Sequence, residues 1–160
     1  MASNRHLGRI IALQTLYEQE FRLACEDKTF HLKEVLSRNI HRYQKVVDDQ
    51  SFITRLTQEV TNKQEELDAI LQPIAPEWPI DQIARMDRLV LRIGAYELLH
   101  ETEVPHKVVI NEAVELAKSF GGENSSKFIN GVLGTLLRQH PELIPTDETT
   151  PKPKKDTKTT

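Results

Sequence analysis

Apolar residues recur along most of the chain at steps of three and four, the spacing of one face of a helix. Ile10, Leu13, Tyr17, Phe21 and Ala24 make the first such set. Phe30, Leu32, Val35, Leu36 and Ile40 make a second, and Phe52, Ile53, Leu56 and Val60 a third. Leu67, Ile70, Leu71 and Ile74 continue the pattern. Asp48 or Asp49 is placed to cap the third helix, because a short carboxylate can accept from the free amides of a first turn. Pro73, Pro76 and Pro79 then interrupt helical propagation, so the pattern predicts a break around residues 72–80.

The segment after the break differs in kind. From Ile83 to Leu99 nearly every side of the predicted helix is apolar, with Asp81 as its candidate N-cap. A helix that is apolar all round belongs at the centre of a fold. A turn over residues 101–105 leads to Pro105, a favourable helix start. Val108, Val109, Ile110, Ala113, Val114, Leu116, Ala117 and Phe120 form the next stripe, and Gly121-Gly122 end it with the left-handed geometry glycine adopts cheaply. Asn124, Ser125 or Ser126 starts a last helix with Phe128, Ile129, Val132, Leu133, Leu136 and Leu137 on one face, and Pro141 stops it. No alternating strand pattern appears. The expected class is all-α with about seven helices. They form a single domain over residues 1–145, in an amino-terminal bundle (about 5–75) and a carboxyl-terminal bundle (about 80–141). Residues 146–160 are proline, threonine, lysine and acid without apolar periodicity. They read as a disordered tail, either solvated or an accessory RNA contact.

Charge narrows the function. Lysine plus arginine number 21 against 24 acids, a net charge of -3, so nucleic-acid binding has to come from a local patch or a partner rather than from the whole-molecule field. Cys25 is the single cysteine, which rules out an internal disulfide and points to a reducing, cytoplasmic setting. No apolar run approaches the roughly 20 residues that span a bilayer.

The sequence offers little for catalysis. It has no glycine-rich phosphate loop, and the six histidines are scattered without a helical metal-binding pair. Glu65-Glu66 and Asp48-Asp49 are adjacent carboxylates, which on a helix do not face each other. No cofactor, metal or catalytic residue is expected. Arg92, Glu97, Asn111, Glu112 and Asn130 stand inside otherwise apolar helices, and they read first as an internal hydrogen-bonded network.

Three ordered runs carry more. They are Asp87-Arg-Leu-Val-Leu-Arg92-Ile-Gly-Ala-Tyr96-Glu97-Leu-Leu, then Pro105-His-Lys107-Val-Val-Ile-Asn111-Glu112-Ala-Val-Glu-Leu-Ala-Lys118-Ser-Phe120-Gly121, then Ser126-Lys127-Phe128-Ile-Asn130-Gly131-Val-Leu133. With Arg9-Ile-Ile-Ala12-Leu-Gln14-Thr-Leu16-Tyr17 near the amino end, they closely resemble the NusB family, over roughly residues 5–140. The resemblance implies two packed helical bundles and a noncatalytic transcription antitermination factor. Such a factor pairs with the ribosomal protein NusE, binds boxA RNA of nascent transcripts, and serves the RNA polymerase antitermination complex on ribosomal RNA operons. A homodimer is left open. Two other readings are a purely protein-binding helical module and a NusB-like domain accessory to an RNA methyltransferase.

On this resemblance, Arg5, His6 and Arg9 would form a basic amino-terminal patch, sparser than many relatives carry. His106, Lys107, Asn124, Lys127 and Phe128 would add phosphate, base-edge and stacking contacts to unpaired RNA. Phe128 fits the core stripe of the last helix equally well. Tyr17 and Asp87 match positions where the family meets NusE or its border with RNA, and Tyr17 also fits the core face of the first helix.

Overall fold

The computed structural model describes residues 5–144, and within them it contains seven α-helices and no strand. They are α1 (Arg5–Ala24), α2 (Leu32–Arg42), α3 (Gln50–Asn62), α4 (Gln64–Leu71), α5 (Arg85–His100), α6 (His106–Phe120) and α7 (Ser125–Gln139). The expected tail lies outside the described residues.

Helix α5 is the axis of the molecule. Leu89 through Leu98 are all buried, as a helix apolar on every side requires. Helices α1, α3, α4, α6 and α7 all pack on it. One hydrophobic cluster therefore runs from Leu13 and Leu16 in α1 through Phe52 and Leu56 in α3 to Leu116 in α6 and Leu133 in α7. A smaller cluster joins Ile11, Leu36, Ile40 and Ile53, seating α2 against α1 and α3. Gly94 lets α5 and α7 approach closely, since a Cβ there would stand 2.6 Å from Leu133 Cδ1.

Local signals explain most boundaries. Asp49 caps α3, its Oδ1 accepting from Phe52 N at 3.1 Å. Pro105 immediately precedes α6, and Pro141 follows α7. Three expectations need correction. Asp81 lies in a short 3-10 turn, Ile80–Gln82, and α5 begins only at Arg85 without a side-chain cap. Gly121 ends α6 in an extended conformation with φ -92, not a left-handed one. Glycine is required there for space, because a Cβ would meet Ala117 O at 2.7 Å and Ser125 Cβ at 2.6 Å. Finally, the apolar stripe of α1 leaves the core after Leu16: Tyr17, Phe21 and Leu23 are all exposed.

Candidate nucleic-acid and partner interface

The amino-terminal cations are largely committed within the fold. Arg9 is only 2% exposed, and its guanidinium grips Glu97 of α5 through Nε and Nη2 at 2.7–3.1 Å. This corrects the reading of Arg9 as a surface phosphate contact. A cation this deep cannot reach RNA without breaking its ion pair and leaving Glu97 buried alone. Burial pushes the Glu97 carboxyl up from its ordinary value, and the Arg9 hydrogen bonds oppose that push. His6 Nδ1 lies 2.5 Å from Glu112 Oε2, and Arg9 Nη1 reaches the same oxygen at 3.8 Å. Arg5 lies 3.3 Å from Asp49 and stacks over the Phe52 ring at 4.6 Å. Arg5 and His6 remain half-exposed, so each can still meet solvent on one side.

Arg5, His6 and Arg9 border a small cavity with Val104, Pro105 and Val108. A second cavity joins the same turn, again through Val104 and Pro105, to His106 and Lys107 at the start of α6. The fold thus brings the first turn of α1 and the first turn of α6 to the two sides of one loop. Lys107 is exposed and His106 half-buried. Lys127 is exposed on α7, while Asn124 is exposed and Phe128 half-buried. Phe128 is half-buried and packs against the main core.

The supposed internal network divides. Arg92 and Glu97 are both buried, Arg92 paired with Asp68 and Glu97 with Arg9, and Glu112 is half-buried with His6 and Arg9. Asn111 and Asn130 are exposed and belong to no such network.

At the other end of α1, Tyr17 is 37% exposed and Phe21 is 52% exposed. The Arg85 guanidinium lies 5.6 Å from the centroid of each ring. Glu20 between them is surrounded by Arg85, Arg88 and Arg92 of α5, with Arg92 also bound to Asp68 of α4 at 2.7 Å. Tyr17 is therefore a surface ring beside α5. Asp87, in the first turn of α5, lines a cleft with Trp78, Asn124 and Phe128. The expected partner contact Asp87 and two expected RNA contacts thus share a wall. Sequence reasoning missed Phe21, Arg85 and Trp78 here. Phe21 continues a helical stripe and so looks like core, whereas Trp78 among prolines was a visible signal that periodicity does not weigh.

No cluster of metal-ligating side chains occurs among the described residues. No helix there is long and apolar enough to cross a membrane.

A sequence model of the NusB family matches residues 6–138. The transcription antitermination protein NusB of Dehalococcoides mccartyi (strain CBDB1) is 45% identical over 138 residues, covering 86% of this chain and 92% of that protein. Among solved structures, T. maritima NusB superposes with a TM-score of 0.77 at 28% identity, covering 89% of this chain and 98% of that one. A structure of antitermination factors NusB and NusE in complex with dsRNA superposes with a TM-score of 0.73 at 23% identity, covering 87% of this chain and 99% of that one, which is a likeness of fold.

Proposed function

The chain belongs to the NusB family, and from that premise we propose that it is a noncatalytic transcription antitermination factor. It binds boxA RNA of nascent transcripts together with the ribosomal protein NusE, and it supports transcription of ribosomal RNA operons by RNA polymerase. The observation that carries this reading is the family match itself, which takes in α1 through nearly all of α7 and so includes both surfaces described above.

The geometry supports a division of labour. RNA meets the edge formed by the first turns of α1 and α6, with Arg5, His6, His106 and Lys107, and extends to Lys127, Asn124 and the accessible edge of Phe128 on α7. Arg9 holds this edge from inside through Glu97 and is not itself a contact. Because Asp49 and Glu112 neutralise part of the cationic charge, the chain alone should bind RNA weakly and gain affinity when NusE enlarges the surface. NusE meets Tyr17 and Asp87 beside α5.

The test is binding of a boxA RNA and a scrambled control, with and without NusE, over a salt series. Preference for boxA that strengthens with NusE is expected. Replacing Lys107 and Lys127 by glutamine should flatten the salt dependence by about 1.4 in log–log slope, roughly 0.7 for each single-strand phosphate released. Equal binding of both RNAs in the presence of NusE would overturn the reading.

A further inference from the structure

Trp78 is the single tryptophan of the chain, and it is 57% exposed. The loop that carries it is fastened. Gln72 Nε2 donates to Trp78 O at 3.2 Å, and Gln72 Oε1 accepts from Ile80 N at 2.8 Å. From below, Arg88 Nη1 donates to Ile83 O at 2.9 Å and reaches Ile80 O and Asp81 O at 3.4 Å. Two side chains thus hold the loop so that the ring stands at the mouth of a cleft of about 410 Å³, between the approach to α5 and the start of α7.

The cleft has an apolar floor and an acidic rim. Ile83 and Phe128 line it, as do Asp87 and Glu123, and no lysine or arginine does. Glu77 and Asp81 flank the lining residues Trp78 and Gln82 along the chain. Arg85 and Lys127 sit next to lining residues in sequence without lining the cleft. Two helix starts abut it, each worth about half a positive charge. The carboxylates outweigh that positive end-charge. Asp87 also keeps unused acceptor capacity, since its Oδ1 is buried with no donor.

A fixed aromatic face inside an acidic rim suits a guanidinium or ammonium group and repels phosphate. We infer that this cleft docks an arginine- or lysine-bearing segment of the protein partner, its cation stacked on Trp78 and held by Glu123 and Asp87. The inference rests on the partner reading given above and deepens it. It assigns the mouth of the cleft at Trp78 and Glu123 to protein, and leaves RNA to the edge at α1 and α6 and to Asn124, Lys127 and the outer edge of Phe128 on α7. The loop is already ordered by Gln72 and Arg88, so little conformational freedom remains to be lost on binding.

The test uses the full chain, with affinities for NusE and for boxA RNA measured separately on Trp78→Ala, Trp78→Phe and Glu123→Lys variants whose helical content matches wild type. Trp78→Ala should weaken NusE binding at least about tenfold, as loss of a buried aromatic anchor does, with Trp78→Phe losing less. Glu123→Lys should weaken it at low salt, with the gap narrowing as salt rises. RNA affinity of the chain alone should not fall in any of them. Wild-type binding to NusE with all three variants unchanged overturns the cleft while leaving the partner reading intact. Absence of NusE binding by wild type overturns both. Loss of RNA affinity in Trp78→Ala would make the ring an RNA stacking platform, which also overturns the inference.

Discussion

In its first turns, α1 lends cations to carboxylates of other helices, and in its last turns it lends a carboxylate to arginines. Arg9 enters the interior and closes on Glu97, while Glu20 stays near the surface and collects Arg85, Arg88 and Arg92. Both ends tie α1 to α5, so the polarity is reversed but the mechanical task is shared. The difference lies in what is left over. At the first end the polar pair is sealed, and half-exposed Arg5 and His6 remain around it. At the second end the rings of Tyr17 and Phe21 remain, facing outward with Arg85 against them. One helix thereby presents a cationic edge and an aromatic edge, each braced by an ion pair to the same central helix.

Breaking the sealed end should have the largest effect. Glu97→Ala removes the hydrogen-bonded carboxylate of Arg9 at 2% exposure and leaves its charge only the 3.8 Å approach to Glu112, so about 3–5 kcal/mol of stability should be lost in urea unfolding. The double replacement Arg9→Met with Glu97→Leu should recover most of that loss, because it removes the buried charges instead of leaving one without its main partner. A single-variant cost below about 1 kcal/mol would show that the pair behaves as an exposed one does, contrary to its burial.

The matching change at the other end should cost less. Glu20→Gln removes the charge that Arg85, Arg88 and Arg92 share, but its side chain keeps 25% exposure, and Arg92 retains Asp68. A loss of about 1–2 kcal/mol is expected, partly screened by salt, and read as a shift of the urea midpoint. A cost equal to that of Glu97→Ala would erase the proposed contrast between the two ends.

This contrast also marks where the sequence was legible. The seven helices and the buried centre were readable, because Leu89 through Leu98 leave no polar face for solvent. Pro105, Pro141 and Asp49 act locally, so their roles follow from neighbouring residues alone. Arg9 was misread because its partner is 88 positions away and a buried arginine looks like a surface one in sequence. Tyr17 and Phe21 stay on a perfect helical period, yet α1 outruns the body it packs on, and period alone does not show where the core ends. Asn111 and Asn130 were assigned inward by the same reasoning in reverse: a polar residue in an apolar helix can simply sit on its solvent side. Of the proposed contacts, residue type and helix-start position were visible, whereas the acids that offset them were not.

Acid titration tests the same two ends with a smaller effect. Asp49, which caps α3 and meets Arg5, is held below its ordinary value, first by Ser51 and then by the Phe52 amide and Arg5. Asp27, just past the last turn of α1, is held at about 2, first by the hydroxyl and amide of Thr29 and then by Arg22. A carboxyl whose folded value is depressed contributes stability that is complete above its unfolded value, here 3.8, and is lost as pH falls through the folded value. Glu97 has the opposite sign. Its raised value means that the folded state takes up a proton more readily than the unfolded chain, so its term grows less unfavourable as pH falls. Urea midpoints measured downward from neutral pH should therefore drop below about pH 4, where carboxylates near their unfolded values begin to protonate. Asp49→Asn should remove part of that drop, about 0.5–1 kcal/mol for a half-exposed cap screened by solvent. The Arg9→Met, Glu97→Leu double variant should fall more steeply than wild type, because a carboxyl with the opposing sign is gone. An unchanged acid slope in that double variant would show that Glu97 titrates alike in both states, and the sealed end would lose its distinguishing property.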